Sequence, residues 1–574
     1  TTEIYTLSLH DALPISANVP FELTAAQAEG LASLSLAVSG NGETTADTVS
    51  LPVRSPLPPR TSVRSGALET ASLTIPELAS GEFLPGSAKR DVAVGPYPLI
   101  RFAGNLKSLL GYPYGCLEQT TSKAFPLLYF ADLARAMDPG SFERDNPAGM
   151  VLAAIRRITG MQLYNGGFSM WPGGDEPQAW MSLYAAHFLV EAAAAGYPVD
   201  KEALAQALRF AAETGREAKL DAPDGPKLAA YALYVQARAG RADIGAMDNL
   251  RDASGKPLPA EARGLLGAAY AAVGNARAAD RLFAGPPPSG EARKETGGTL
   301  DSTLRDKALY LSALLDAAPA DPRLGSLAVD VGRLLEGEAY PSTQENAFAL
   351  LALGKFYARQ QAKKPFAGKL YAGSGLLSDV TSAKVLSLRG LGQPGDLRLD
   401  LDPGYQPGSC YYSVRTRGIP SAAAYSPQAA GLEIARTYLT RDGKPIEGNT
   451  VPQGALVVVK FAARATAGRV DNVVLENLLP AGLEVENPRL ATTERLPWME
   501  DPGEGGSAHL DLRDDRILLF ADLRKDQWQT HYALLRAVTP GVFSLPPAQA
   551  EAMYAPELRA SGETSTFTVA PAGR

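Results

Sequence analysis

Cys116 and Gln119 stand three residues apart in Gly-Tyr-Pro-Tyr-Gly-Cys-Leu-Glu-Gln-Thr over 111–120. On a helical turn such positions are surface neighbours, with Cβ atoms roughly 5–6 Å apart. A thiolate there can attack the glutamine carboxamide and expel ammonia, leaving an internal thioester. Gly115 permits close backbone approach and Pro113 stiffens the path into the helix. A helix start favours thiolate through its positive dipole end, and Glu118 opposes that. Such a bond survives only in a dry pocket, and Tyr112, Tyr114, Phe168, Met170 and Trp171 are candidate linings. An isolated Cys-x-x-Gln is more often a buried cysteine beside a helical polar residue.

The remaining chemistry is sparse. The 574 residues hold two cysteines and four histidines. Cys116 and Cys410 could pair, but a disulfide would consume the thiol. Otherwise Cys410 reads as a free cysteine on a strand. His187 lies in Tyr-Ala-Ala-His-Phe-Leu-Val over 184–190 and reads as a buried core histidine. His509 and His531 read as surface or packing residues. No spacing matches a zinc site, and no metal or cofactor is expected. Asp175-Glu176 and the pair Asp301 and Asp306 read as solvated loops and helix termini. Net charge is −7, with no basic cluster carrying aromatics, so no nucleic-acid partner is expected. No apolar run reaches the length of a transmembrane helix.

Several domains are needed for a chain this long. Thr1–Ser16 matches nothing downstream and resembles translated adapter read-through; it is set aside together with His10. Residues 17–54 alternate like the last strands of a β-domain, and the chain reads as the C-terminal part of something longer. Ser55-Pro-Leu-Pro-Pro59 is a linker. Strands follow to about 97. An Ala- and Leu-rich helical array then occupies 98–366, either an open solenoid or a closed toroid, with a capping box at Ser342-Thr-Gln-Glu345. Strands return over 367–425, and a further β-module fills 426–574. The simplest arrangement is a helical domain inserted into one β-sandwich.

These features resemble the C-terminal part of a thioester-carrying bacterial alpha-2-macroglobulin. The resemblance rests on Tyr112–Gln119, Asn165–Gly174, Ser342–Ala347, Arg417–Pro420, Leu479–Glu484 and Met553–Arg559. It implies an α/α-toroid thioester domain inserted in a split CUB-type β-sandwich, followed by a macroglobulin-like β-sandwich. It implies a Cys116–Gln119 cross-link shielded by a tyrosine just before it, taken as Tyr112, and by Met553 and Tyr554 of the C-terminal domain; Tyr114 and Trp171 complete the shield from the lining read above. It further implies a single-use protease trap rather than an enzyme. An attacking protease cuts a bait segment, and its lysine is captured at Gln119. The family setting is the bacterial periplasm, anchored to the inner membrane through an N-terminal lipid outside this chain, with a penicillin-binding protein as a conceivable companion. Two other readings stay open: a cysteine acyltransferase or amidase with His187 as base, and an inert binding scaffold.

Overall fold

The computed structural model describes residues 30–572 except 41, 78–81, 145, 253–256, 290–292, 339–340, 360–363, 393–394, 422–424, 487–495, 497 and 499–508. Residues 1–16, with His10, lie outside the described residues. Two compact units part at Ser55/Pro56, where prolines leave little backbone hydrogen bonding to carry a fold across. In the first unit, strands Gly30–Gly40 and Glu43–Val53 pair antiparallel, with Leu34 opposite Val49.

The second unit begins with a sandwich built from both sides of the helical segment. Arg60–Ala67 and Lys89–Gly95 flank Tyr411–Gly418 in one sheet, so Arg60 faces Gly418 and Lys89 faces Arg417. Ser72–Ile75 joins Leu397–Leu401 in the other sheet. Strands more than 300 positions apart therefore share ladders, and the helical segment is an insertion. Leu68, Val92, Val94, Leu370, Leu399 and Cys410 fill this sandwich.

Between these halves the helices close into a ring. Six inner helices are Leu117–Ala124, Ala179–Ala194, Gly225–Arg238, Ala260–Ala272, Thr303–Ala317 and Thr343–Tyr357; each packs on the next and the last returns to the first. The array is thus a toroid, not an open solenoid. Inner helices such as Ala179–Ala194 are apolar nearly all round and buried nearly all round. Outer ones such as Lys201–Glu217 are amphipathic, burying the stripe Ala207, Leu208 and Ala211. A helix that is hydrophobic on every side must be covered on every side, and the ring supplies that cover.

The toroid also contains a buried ionic network, which corrects the expectation for Asp301 and Asp306. Both are buried, as is Arg305 at 0% exposure. Arg305 bridges Asp301 and Asp306, lies over the Trp180 ring at 4.4 Å, and reaches Gln344 Oε1 at 3.2 Å. Lys227 bonds Asp301, and Arg293 bonds Asp301 and Asp306. With Glu261 beside them, three cations balance three carboxylates. Charges out of water persist only when paired and hydrogen-bonded; here the pairing replaces the solvent expected from sequence. Asp175 and Glu176 are exposed, as expected.

The terminal sandwich stacks a six-stranded sheet on a four-stranded one, with a small three-stranded sheet at its side. Strands Ala548–Ala552 and Ala555–Ser561 form a hairpin whose two-residue tip is Met553-Tyr554. Such tips normally carry Asn or Gly at positive φ, yet neither tip residue has positive φ and both are 1% exposed. The tip is held by what it is pushed into.

Arg305→Met leaves Asp301 and Asp306 short of a cation and should cost about 3–5 kcal/mol. A thermal melt followed at 222 nm measures this; a midpoint equal to wild type would mean the network contributes nothing.

Candidate functional site

The hairpin tip enters a site built at the start of helix Leu117–Ala124. Arg157 Nε and Nη2 donate to the Gly115 carbonyl at 3.0 and 2.7 Å, and Lys123 Nζ donates to the Tyr112 carbonyl at 2.5 Å. Leu117 N–H donates to Met170 O at 2.9 Å. The Met170 loop owes its shape to Gly166, at φ +88°, where a Cβ would strike the Gln206 carbonyl. These bonds hold the backbone on either side of Cys116.

Cys116 is the N-cap. Its Sγ accepts from Gln119 N–H at 3.5 Å, while Cys116 N–H donates to Gln119 Oε1 at 3.2 Å. This is a capping box with cysteine and glutamine in place of serine and glutamate. Helix-end hydrogen bonding thus brings thiol and carboxamide together. The same Cys116 N–H polarises the Gln119 carbonyl, as an oxyanion donor would.

Both residues are completely buried, and burial decides the thiol's charge. Desolvation, reinforced by Glu118, pushes the Cys116 thiol up to about 12, against the lowering effect of its hydrogen bonds. This corrects the expectation that the helix start favours thiolate: the dipole acts, but removal from water outweighs it. Glu118 is also completely buried. Its carboxyl accepts from Ser122 Oγ at 2.5 Å and Thr343 Oγ1 at 2.6 Å, and Tyr184 OH lies 3.1 Å from Ser122 Oγ. Desolvation still lifts the Glu118 carboxyl to about 7.

The tip of the terminal sandwich roofs the pair. Tyr554 OH sits 3.6 Å from Cys116 Sγ, and Gln119 Nε2 lies 3.5 Å from Met553 Sδ. Tyr112 packs edge-on against Tyr114 at 5.4 Å, and Tyr114 against Phe520 of the sandwich at 5.3 Å. Trp171 stands in the outer wall, stacked on His509 at 4.5 Å and tilted against Phe520 at 4.3 Å. A cleft of about 390 Å³ opens there beside Gly115 and Arg157. Phe168 is buried, with its N–H bonded to Ser182 Oγ. Asn472, at φ +56°, holds Met553 N–H with its carbonyl and donates from Nδ2 to Thr296 O at 2.7 Å. It ties the tip to the toroid.

His187 is buried with Nδ1 3.1 Å from Tyr231 OH, and desolvation lowers it to about 3. Cys410 is buried and free, as is Cys116. His531 is buried too, while His509 belongs to the Trp171 stack. Ser122, Thr343, Tyr184, Arg157, Phe520 and Asn472 carried no signal as site residues in the sequence. Of these, only Thr343 adjoined a recognised motif, the Ser342–Glu345 capping box.

A toroid set in a split sandwich and roofed by a second sandwich defines the macroglobulin thioester-domain class. Residues 91–218 match the A-macroglobulin TED domain, and residues 431–557 match the bacterial alpha-2-macroglobulin MG10 domain. The chain is 30% identical to the alpha-2-macroglobulin of Xylella fastidiosa strain Temecula1, over 96% of this chain and 35% of that protein. Native alpha-2-macroglobulin of Escherichia coli from domain MG7 to the C-terminus superposes with a TM-score of 0.80 at 26% identity, covering 95% of this chain and 88% of that one. Salmonella alpha-2-macroglobulin reacted with methylamine gives 0.80 at 28% identity, covering 95% and 36%. The chain belongs to the bacterial alpha-2-macroglobulin family and spans about a third of the length of the full-length relatives it matches.

Because the folded carboxyl of Glu118 is raised from 4.5 to about 7, its ionisation opposes folding. Its contribution is fully present below about pH 4.5 and is lost as pH rises to about 7. Glu118→Gln should therefore be more stable than wild type at pH 8, by a few kcal/mol at most, and this gap, read from thermal melts, should shrink to nothing near pH 4.5. A gap independent of pH would place the ionised carboxylate in a solvated setting.

Proposed function

We propose that Cys116 and Gln119 form an internal thioester, and that this chain is the thioester-bearing portion of a bacterial protease trap. The reciprocal capping box, buried under Met553 and Tyr554, is the observation that carries this reading. It holds nucleophile and carboxamide together, polarises the carbonyl, and keeps the product from water. A protease lysine would attack the Gln119 acyl carbon. The C–S bond would break with its electron pair on Cys116, leaving the protease joined through an amide. One use exhausts the site, so it inhibits rather than turns over. Family membership supports proteases as partners, and a periplasmic setting is part of the same proposal.

The acyltransferase or amidase reading needs a base. His187 is its candidate, but that ring is bonded to Tyr231 and packed between aromatic side chains. Nothing in its contacts supports a role at sulfur.

Intact mass tests the bond directly. Thioester formation loses ammonia, so the native chain should weigh about 17 Da less than its sequence. Methylamine, the reagent used on the Salmonella relative, should add at Gln119 and release one titratable thiol. A chain at its full encoded mass with no methylamine-released thiol would refute the thioester. Met553→Ala removes the side chain over the Gln119 carboxamide while keeping the Tyr554 hydroxyl, and should raise the methylamine rate at least about tenfold, read as thiol release in a stopped assay. An unchanged rate would assign the shielding to Tyr112, Tyr114 and Tyr554 instead.

A further inference from the structure

A buried thiol cannot attack without losing its proton, and the chain encloses that proton tightly. Cys116 Sγ accepts from the Gln119 N–H and also interacts with the Glu118 backbone N–H, and Tyr554 OH lies 3.6 Å from it. Nearby bases are otherwise engaged. Lys123 Nζ is bound to the Tyr112 and Tyr114 carbonyls, and His187 to Tyr231. The Tyr554 hydroxyl, however, also interacts with the Glu118 carboxyl. Tyr554 thus neighbours both the reacting sulfur and a buried acid. Ser122 and Thr343 hold the other side of that acid.

We infer, on the basis of the thioester reading, that Glu118 is the proton station for making this bond, working through Tyr554. As Sγ attacks Gln119 Cδ, the thiol proton passes to the Tyr554 oxygen while the Tyr554 proton passes to the Glu118 carboxylate. The oxyanion forms on Oε1 against Cys116 N–H. Collapse breaks the C–N bond, its electron pair stays on nitrogen, and the stored proton returns through the same hydroxyl to release ammonia. Sulfur–carbon forms, carbon–nitrogen breaks, and no redox partner is needed. The sandwich tip then has two duties: its aromatic body shields the finished bond, and its hydroxyl helps to make it. Thioester formation accordingly depends on docking of the terminal sandwich.

Groups facing Glu118 are Lys123 and Cys116 on its own segment, Tyr112 before it, Tyr184 from helix Ala179–Ala194 and Tyr554 from the sandwich. Buried phenols stay neutral, since desolvation raises each of them. A carboxyl near 7 populates both acid and base forms at neutral pH, as a proton relay requires.

Microscopic reversibility makes the relay measurable in the backward direction, with ammonium chloride as the probe on the full chain. Thiol release is followed with a chromogenic disulfide from about pH 5.5 to 8.5 and divided by free ammonia concentration. Glu118→Gln and Tyr554→Phe, the latter keeping the shielding ring, should each be slowed at least about tenfold above neutrality. The wild-type to Glu118→Gln ratio should rise with pH and level off just above 7. A folded Glu118→Gln chain that never develops the deficit of about 17 Da is the extreme form of the same result. If Glu118→Gln fails to fold, Tyr554→Phe decides alone. Variants with the full deficit and wild-type, pH-parallel rates would overturn the relay while leaving the thioester reading intact. If wild type itself shows neither deficit nor released thiol, both fall together.

Discussion

A helix N-terminus carries orphan N–H groups that ordinarily need water or a polar cap. At Cys116 that end is sealed from solvent, and the seal works only because Cys116 and Gln119 satisfy each other's backbone groups. The reciprocal hydrogen bonding that lets the helix start in the dark is also what juxtaposes sulfur and carboxamide. The surroundings serve this one constraint. Arg157 and Lys123 take up the carbonyls leading into the helix, Met170 takes the Leu117 N–H, and Met553 and Tyr554 close the top.

Burial gives the site its chemistry as well as its durability. Removal from water keeps the Cys116 thiol protonated and lifts Glu118 toward neutrality, so no standing thiolate waits to be oxidised. The cost is that the proton needs a path. The Glu118 carboxyl, with Ser122, Thr343 and Tyr554 around it, is the polar group nearest to providing one. The toroid plays the supporting part. Thr343 begins the inner helix that also carries Gln344, which touches Arg305 in the ionic network. The network at the toroid's core and the reactive helix thus share a neighbour.

Much of the architecture was legible beforehand because periodicity is a local property. Ala179–Ala194 and Thr343–Tyr357 declared themselves by helical spacing, and the latter by its Ser342/Glu345 capping box. The return of strand pattern after 367 pointed to an inserted helical domain. Ring closure was not legible, since an open and a closed array of helical hairpins share the same local pattern. The burial of Asp301 and Asp306 was missed for a related reason. Their partner Arg305 was adjacent, but Lys227 and Glu261 arrive from other helices, and only their convergence removes the solvent.

By itself the sequence determined the reactive spacing of Cys116 and Gln119, the helices and strands around it, and the family. The Tyr112–Gln119 run and the Met553-Tyr554 pair are motifs of adjacent residues and survive in a one-dimensional reading. Tertiary structure decided the charge and setting of those residues. The thiol is neutral, Glu118 is half-titrated near neutrality, Trp171 stands in an outer wall, and a hairpin tip without turn-forming residues is stable only inside its pocket. Protonation and shielding depend on the density of neighbours brought from hundreds of residues away, and spacing along the chain does not encode that density.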